Sequence, residues 1–240
     1  MLNFIKDILF PRECLFCKKY GSWLCADCAA SIKPSAGQSC PQCKRLNSWG
    51  ELCPDCRGDF IFSGIWVAGD YSEQKLSTLI KTYKYNFLKD LGPVLSDFIY
   101  NFLQQKIFIN PYKNIFNATL KIRQNNTLLI PVPLSRQRQR WRGFNQAELL
   151  AERLAQSTGL SLNKDLKRIR HCRPQAQLDG KQRLHNLSNA FKWTGETLIG
   201  QKIILVDDVA TTGTTINECA KVLRAAGAGD IWGLVLAGKQ

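Results

Sequence analysis

Two adjacent carboxylates, Asp207 and Asp208, end an apolar run and open onto a turn crowded with hydroxyls. The run from Ile203 to Val206 is apolar on both faces, as expected of a strand buried inside a parallel sheet. Beyond the acids, Val209 and Ala210 lead into Thr211, Thr212, Gly213, Thr214 and Thr215. Hydroxyl donors around one glycine let successive backbone N–H groups converge, an arrangement suited to a phosphate monoester. Carboxylates beside that phosphate would repel it, so Asp207 and Asp208 are expected to face vicinal sugar hydroxyls or a magnesium ion. A sugar phosphate lying across the strand end satisfies both halves. The glycine–lysine phosphate loop of ordinary ATPases is absent.

A second chemistry sits near the start of the chain. Eight of the ten cysteines precede residue 57, as four Cys-x-x-Cys pairs: Cys14/Cys17, Cys25/Cys28, Cys40/Cys43 and Cys53/Cys56. Eight thiolates make two tetrahedral four-cysteine zinc sites, closed and therefore structural. A disulfide framework would call for export. The segment Met1–Phe10 is short, contains Asp7 and lacks a small-residue cleavage site, so a secretory signal is not expected and a cytoplasmic location is. Gly21 after the first pair and the helix-like start at Cys25-Ala-Asp-Cys28 favour Cys14, Cys17, Cys25 and Cys28 on one zinc. The second four, with Asn47–Gly50 as a turn, would form a ribbon. A cross-braced pairing, first pair with third and second with fourth, stays open.

The elements that must position these groups follow from periodicity. Ile216, Cys219, Ala220 and Leu223 recur at helical spacing after the threonine turn, and Gly227 is a natural stop. Gly64–Tyr71 reads as a strand. Leu76, Leu79, Ile80, Val94, Leu95, Phe98, Ile99 and Phe102 form a helical tract that Gly92-Pro93 is expected to break in two. Leu128–Leu134 is another strand, with Pro131 and Pro133 at its exit, followed by a loop carrying Arg136, Arg138, Arg140 and Arg142. Asn145 is placed to cap the next helix, with Glu148 as its reciprocal partner and a stripe of Ala147, Leu150, Ala151 and Leu154. Cys219 falls on an apolar stripe and is expected in the core. Trp141 either anchors its loop or stacks on a base, with anchoring favoured.

Composition sets the outer limits. A chain of 240 residues, 45% hydrophobic, can bury one substantial core plus a small module. No apolar run approaches the roughly 20 residues a membrane span needs. The formal charge is +14, and between Leu134 and His185 twelve lysines and arginines stand against four acids. That concentration attracts diphosphate, nucleotides or a nucleic-acid backbone.

The segment 203–215 resembles the PRPP-binding motif of type I phosphoribosyltransferases (PRPP is 5-phosphoribosyl-1-diphosphate). Pro131-Val-Pro-Leu134, Arg142-Gly-Phe-Asn-Gln-Ala-Glu-Leu-Leu-Ala151, Pro174-Gln175 and Arg183, behind the cysteine module, extend the likeness. Over essentially its whole length the chain is similar to the ComF/GntX family. The resemblance implies an α/β type I phosphoribosyltransferase fold, a mostly parallel sheet flanked by helices, with a small amino-terminal zinc module. It implies a double zinc ribbon over 1–60, a hood and linker over 61–126 with Lys81, Lys84 and Lys89, and a core over 127–240. It implies ribose hydroxyls on Asp207 and Asp208, as catalytic residues, and the 5′-phosphate on Val209–Thr215. Diphosphate would lie on Arg140 and Arg142, with Arg136 and Arg138 behind them, and Arg168–Arg183 would close over PRPP. Magnesium and two structural zinc ions are the implied cofactors. Natural competence is the implied setting, with single-stranded DNA and other competence or DNA-processing proteins as candidate partners. The acceptor is unassigned: Lys84-Tyr85 is followed by Asn86-Phe87, where family members often carry glycine.

Overall fold

The computed structural model describes residues 12–85, 88–105, 126–170 and 189–238. Leu2, Ile5, Ile8 and Leu9, whose spacing puts them on one helical face, the Asn86-Phe87 pair, residues 106–125, His171, Cys172, Pro174-Gln175, Arg183 and His185 lie outside them.

Five strands build a sheet: β3 (Gly64–Asp70), β4 (Thr127–Pro131), β5 (Ser161–Leu162), β8 (Lys202–Ala210) and β9 (Ile231–Gly238). Their spatial order is β3-β9-β8-β4-β5, and every pairing is parallel. Parallel strands need crossovers, so helices cover both faces. One face carries α3 (Gln74–Tyr85), α4 (Leu91–Leu103) and α6 (Gln146–Thr158), packed on Trp66, Ile204, Val206 and Leu234. The other carries α7 (Thr214–Ala225) and a hairpin of β6 (Leu166–Arg168) with β7 (Phe191–Trp193), packed on Ile65, Ile203, Leu205 and Val235. The expected α/β layout is therefore present, and β3 joins the sheet although it precedes residue 126.

Three local readings change. The helical tract breaks before Leu91 rather than at Gly92-Pro93, because Pro93 falls in the first turn of α4, where its missing N–H leaves no helical bond unmade. The arginine loop is a short helix, α5 (Arg136–Arg142), capped by the Ser135 hydroxyl and ended by Gly143 at φ 72°. Asn145 does cap α6, accepting from the Ala147 N–H at 3.2 Å. Glu148 instead holds Lys164 at 2.7 Å.

The cysteine module wraps the outer edge of β3. Between its cysteines lie two short helices, α1 (Ala26–Ala30) and α2 (Pro54–Arg57), and a hairpin of β1 (Gln38–Ser39) with β2 (Leu46–Asn47). An edge strand presents unpaired backbone groups. Here the Gln38 side chain satisfies both groups of Val67, accepting from its N–H at 2.9 Å and donating to its carbonyl at 3.0 Å. Ile65 N–H donates to the Gly50 carbonyl, and Ser35 N–H to the Ala68 carbonyl, each at 2.8 Å. Asn47 builds the expected turn, its side chain accepting from the Trp49 and Gly50 N–H groups.

Candidate functional site

Strand β8 delivers the acid pair to the carboxyl edge of the sheet. Its register with β4 stops at Pro131, opposite Val206, while its pairing with β9 continues to Ala210. The strand thus runs on past the apolar stretch Ile203–Val206, through the acid pair to Ala210, but with one neighbouring strand instead of two. This carboxyl edge, where β8 outruns β4, is where ligands bind in open α/β sheets.

Alternation along the strand sends the two acids to opposite faces. Asp208 points to the face of α3 and is buried, with its Oδ1 2.7 Å from the Lys84 ammonium. Asp207 is half-buried on the face of α7, and its Oδ1 accepts from the Asp208 N–H at 2.8 Å. Burial, then the neighbouring Asp208 charge, push the Asp207 carboxyl up to about 7, against the opposing pull of Lys84. Sequence reasoning required a cation or ligand for two adjacent buried carboxylates. The fold supplies one from within, on a residue read only as helix surface or hood. The clue was there: Leu76, Ile80 and Lys84 are spaced four apart, so Lys84 continues the inward stripe of α3 at its last turn.

The threonine loop turns tightly after Ala210. Gly213 adopts φ 71° and precedes the first helical residue of α7. A side chain there would also meet Phe62, whose Cζ lies 3.1 Å from the position a Cβ would take. Thr211 is exposed, Thr212 and Thr215 are half-buried, and Thr214 is buried with its hydroxyl 2.7 Å from that of Thr212. Ile216, Cys219, Ala220 and Leu223 are all buried, which fixes α7 against the sheet and its amino end at the loop.

The arginines separate. Arg142 is buried: it donates to Gln146 Oε1 at 3.0 Å and lies over the Tyr85 ring at 5.3 Å. Arg140 points to solvent and lines a cleft of about 1040 Å³ between α5 and the β6–β7 hairpin, with Arg136, Lys164, Lys167, Arg168 and Lys192. The expected Arg140–Arg142 pair is therefore split between interior and cleft. Arg138 is half-buried, and burial together with Arg168 and Arg142 holds its guanidinium below the usual range. Arg168 also lies close enough to Asp207 to favour its ionised form. Trp141 is 56% exposed, its ring 5.9 Å from that of Tyr85.

The cysteines resolve into sequential fours. The sulfurs of Cys14, Cys17, Cys25 and Cys28 lie within 4.8 Å of one another, as do those of Cys40, Cys43, Cys53 and Cys56. The cross-braced alternative is thereby set aside. Sulfurs of Cys17 and Cys25 are 3.5 Å apart, and those of Cys43 and Cys53 are 3.7 Å apart. A tetrahedron with Zn–S bonds of about 2.3 Å has edges of about 3.8 Å, so the donor set fits zinc and not disulfides. Burial alone would raise Cys14 and Cys40, but backbone N–H groups around each sulfur bring them down to about 6. Cys28 and Cys56 are pushed up to about 12, first by hydrogen bonding to Cys25 and Cys53 respectively.

Among the described residues, no helix is long and apolar enough to cross a membrane. Residues 5–57 match the double zinc ribbon domain family. Across 99% of its length the chain is 32% identical to competence protein F of Haemophilus influenzae, which is covered completely. Competence protein ComFC of Bacillus subtilis is 30% identical, with 94% of this chain and 87% of that one aligned. The DNA utilization protein YhgH of Salmonella typhimurium is 28% identical over 92% of this chain and 94% of its own. With relatives matched nearly end to end, and with two four-cysteine lobes bound to the edge of a parallel α/β sheet, the chain belongs to the competence protein F (ComF) family.

Proposed function

We propose that the carboxyl edge of the sheet binds PRPP with magnesium, and that the protein is a phosphoribosyltransferase acting in the cytoplasm during uptake and use of DNA. The names of its relatives, competence proteins and DNA utilization proteins, support the setting. The observation that carries the chemistry is the course of β8: it loses β4 as a neighbour at Val206, presents Asp207 and Asp208, and enters the threonine loop at a helix start. In this reading Val209–Thr215 hold the 5′-phosphate and the two acids hold the ribose hydroxyls.

The reaction displaces diphosphate from C1 of the ribose by an acceptor, so positioning and charge stabilisation do most of the work and no covalent nucleophile is needed. The Lys84 ammonium pairs with Asp208 Oδ1 at 2.7 Å, and the carboxylate would accept a hydrogen bond from a ribose hydroxyl. Asp207, with its carboxyl held near 7, gains from any cation brought beside it. Magnesium, held by Asp207 together with substrate oxygens, would screen the acids from the diphosphate. Arg138 and Arg168, which lie near the acids, are better placed for diphosphate than the solvent-facing Arg140 or the internally bonded Arg142. Calorimetry of PRPP with and without Mg²⁺ tests the site. Binding is expected for the native chain and lost when Asp207 and Asp208 are both changed to Asn; unchanged affinity in that variant refutes the assignment.

A second reading, an adaptor for single-stranded DNA, is favoured by the basic cleft along α5 and β6–β7 and the exposed Tyr85–Trp141 pair beside it. Binding through that cleft falls steeply with salt as counterions are released. Salt-independent binding, or none at low salt, removes it.

A further inference from the structure

The second cysteine lobe reaches the threonine loop directly. Lys44, next to Cys43, adopts φ 63°, and its backbone N–H donates to the Cys40 carbonyl at 3.0 Å. That bond closes the knuckle carrying Cys40 and Cys43 and fixes the direction in which the side chain leaves it. The side chain crosses to the edge of the sheet, where its ammonium donates to the Thr211 carbonyl at 3.2 Å. The strap leaving the same lobe packs on the loop as well. Ile61 N–H donates to Asn217 Oδ1 at 2.8 Å in the first turn of α7, and the buried Phe62 ring lies against Gly213. Lobe, strap and loop are therefore one packed unit, with the Lys44 ammonium placed on the first residue of the loop.

A charge there acts on what the loop binds. The N–H groups and hydroxyls of Thr212–Thr215 are neutral dipoles, whereas an ammonium strengthens their hold on an anion and contributes charge-assisted bonding of its own. We infer that Lys44 belongs to the anion site of the Thr211–Thr215 loop, adding charge for a bound phosphomonoester, so that the Cys40/Cys43/Cys53/Cys56 lobe sets the loop's affinity. This rests on the loop being the 5′-phosphate site.

Titration calorimetry of the zinc-loaded full chain with ribose 5-phosphate and with PRPP tests it, on the native protein and on Lys44→Met, Lys44→Gln and Lys44→Arg. Removal of the charge is expected to weaken both ligands about tenfold and to flatten the dependence of affinity on salt. Lys44→Gln keeps a donor for the Thr211 carbonyl without the charge and is expected to behave as Lys44→Met. Lys44→Arg restores affinity to within about threefold, by keeping a cation on a long stem. Zinc content is expected to be equal in all four proteins, which separates loss of charge from loss of the lobe. Native affinity in Lys44→Met or Lys44→Gln overturns the inference while leaving the loop assignment standing. If the native chain binds neither ligand, the loop assignment falls and the inference with it.

Discussion

Changing Lys84 to Met isolates the ion pair on which the acid edge depends. The two side chains retain 16% and 11% of their exposure, and their charged atoms are 2.7 Å apart. At an effective dielectric of about 20, unit charges at that distance attract by about 6 kcal/mol. Much of this only offsets the cost of taking both charges out of water. Methionine fills similar space but leaves Asp208 buried without its cation, which costs about 3 to 5 kcal/mol. For a chain of this size that lowers the melting temperature by about 10 °C. Replacing Asp208 with Asn alone strands the ammonium, whereas the double variant Lys84→Met/Asp208→Asn removes both charges and should recover most of the loss. Urea unfolding of the four proteins gives the coupling energy directly. A single Lys84→Met variant within about 0.5 kcal/mol of native, or a double variant no better than the worse single, would refute the reasoning.

Asp207 titrates in the same edge, and its direction sets two signs. Its carboxyl is raised from 3.8 to about 7, so its contribution to stability is complete below its unfolded value and is lost as pH rises towards 7. Native protein should lose stability relative to Asp207→Asn between about pH 4 and 7; parallel pH profiles would show that Asp207 is not shifted. Affinity for PRPP with Mg²⁺ should instead rise through the same range, as the carboxylate forms, and a flat calorimetric profile would contradict this. Cys14→Ser should release one of the two zinc ions and destabilise the first lobe, because a structural metal contributes its binding energy to folding; unchanged metal content would disprove Cys14 as a zinc ligand. Gly213→Ala, at φ 71° and against Phe62, should cost about 1 to 2 kcal/mol on urea unfolding, and no loss would remove the strain argument.

Strong local patterns were legible in the residues alone. The stripe of α7, the cap at Asn145, the strand at Ile203–Val206 and the cysteine fours depend on spacing and local chemistry, which a sequence displays directly. Contacts between distant segments were not. Lys84 meets Asp208, and Lys44 meets Thr211, only because α3 and the second lobe are folded onto opposite faces of one strand edge. The arginines misled for a related reason. A run of alternating arginine and glutamine reads as a loop, yet Ser135 caps it and Gly143 ends it as a helix, and helical rotation then sends Arg142 inward and Arg140 outward.

Strand β9 lies between β3 and β8, although it is the last of the five in chain order. During synthesis, Gly64 leaves the ribosome long before Trp232, the residue it must pair with. The amino-terminal metal lobes can close early, but the strand they cover stays half-paired until β9 has been made. A chain cut short before β9 would leave β3, with the lobes on its edge, unjoined to β8 within the sheet, so the strand order itself exposes such fragments to proteolysis.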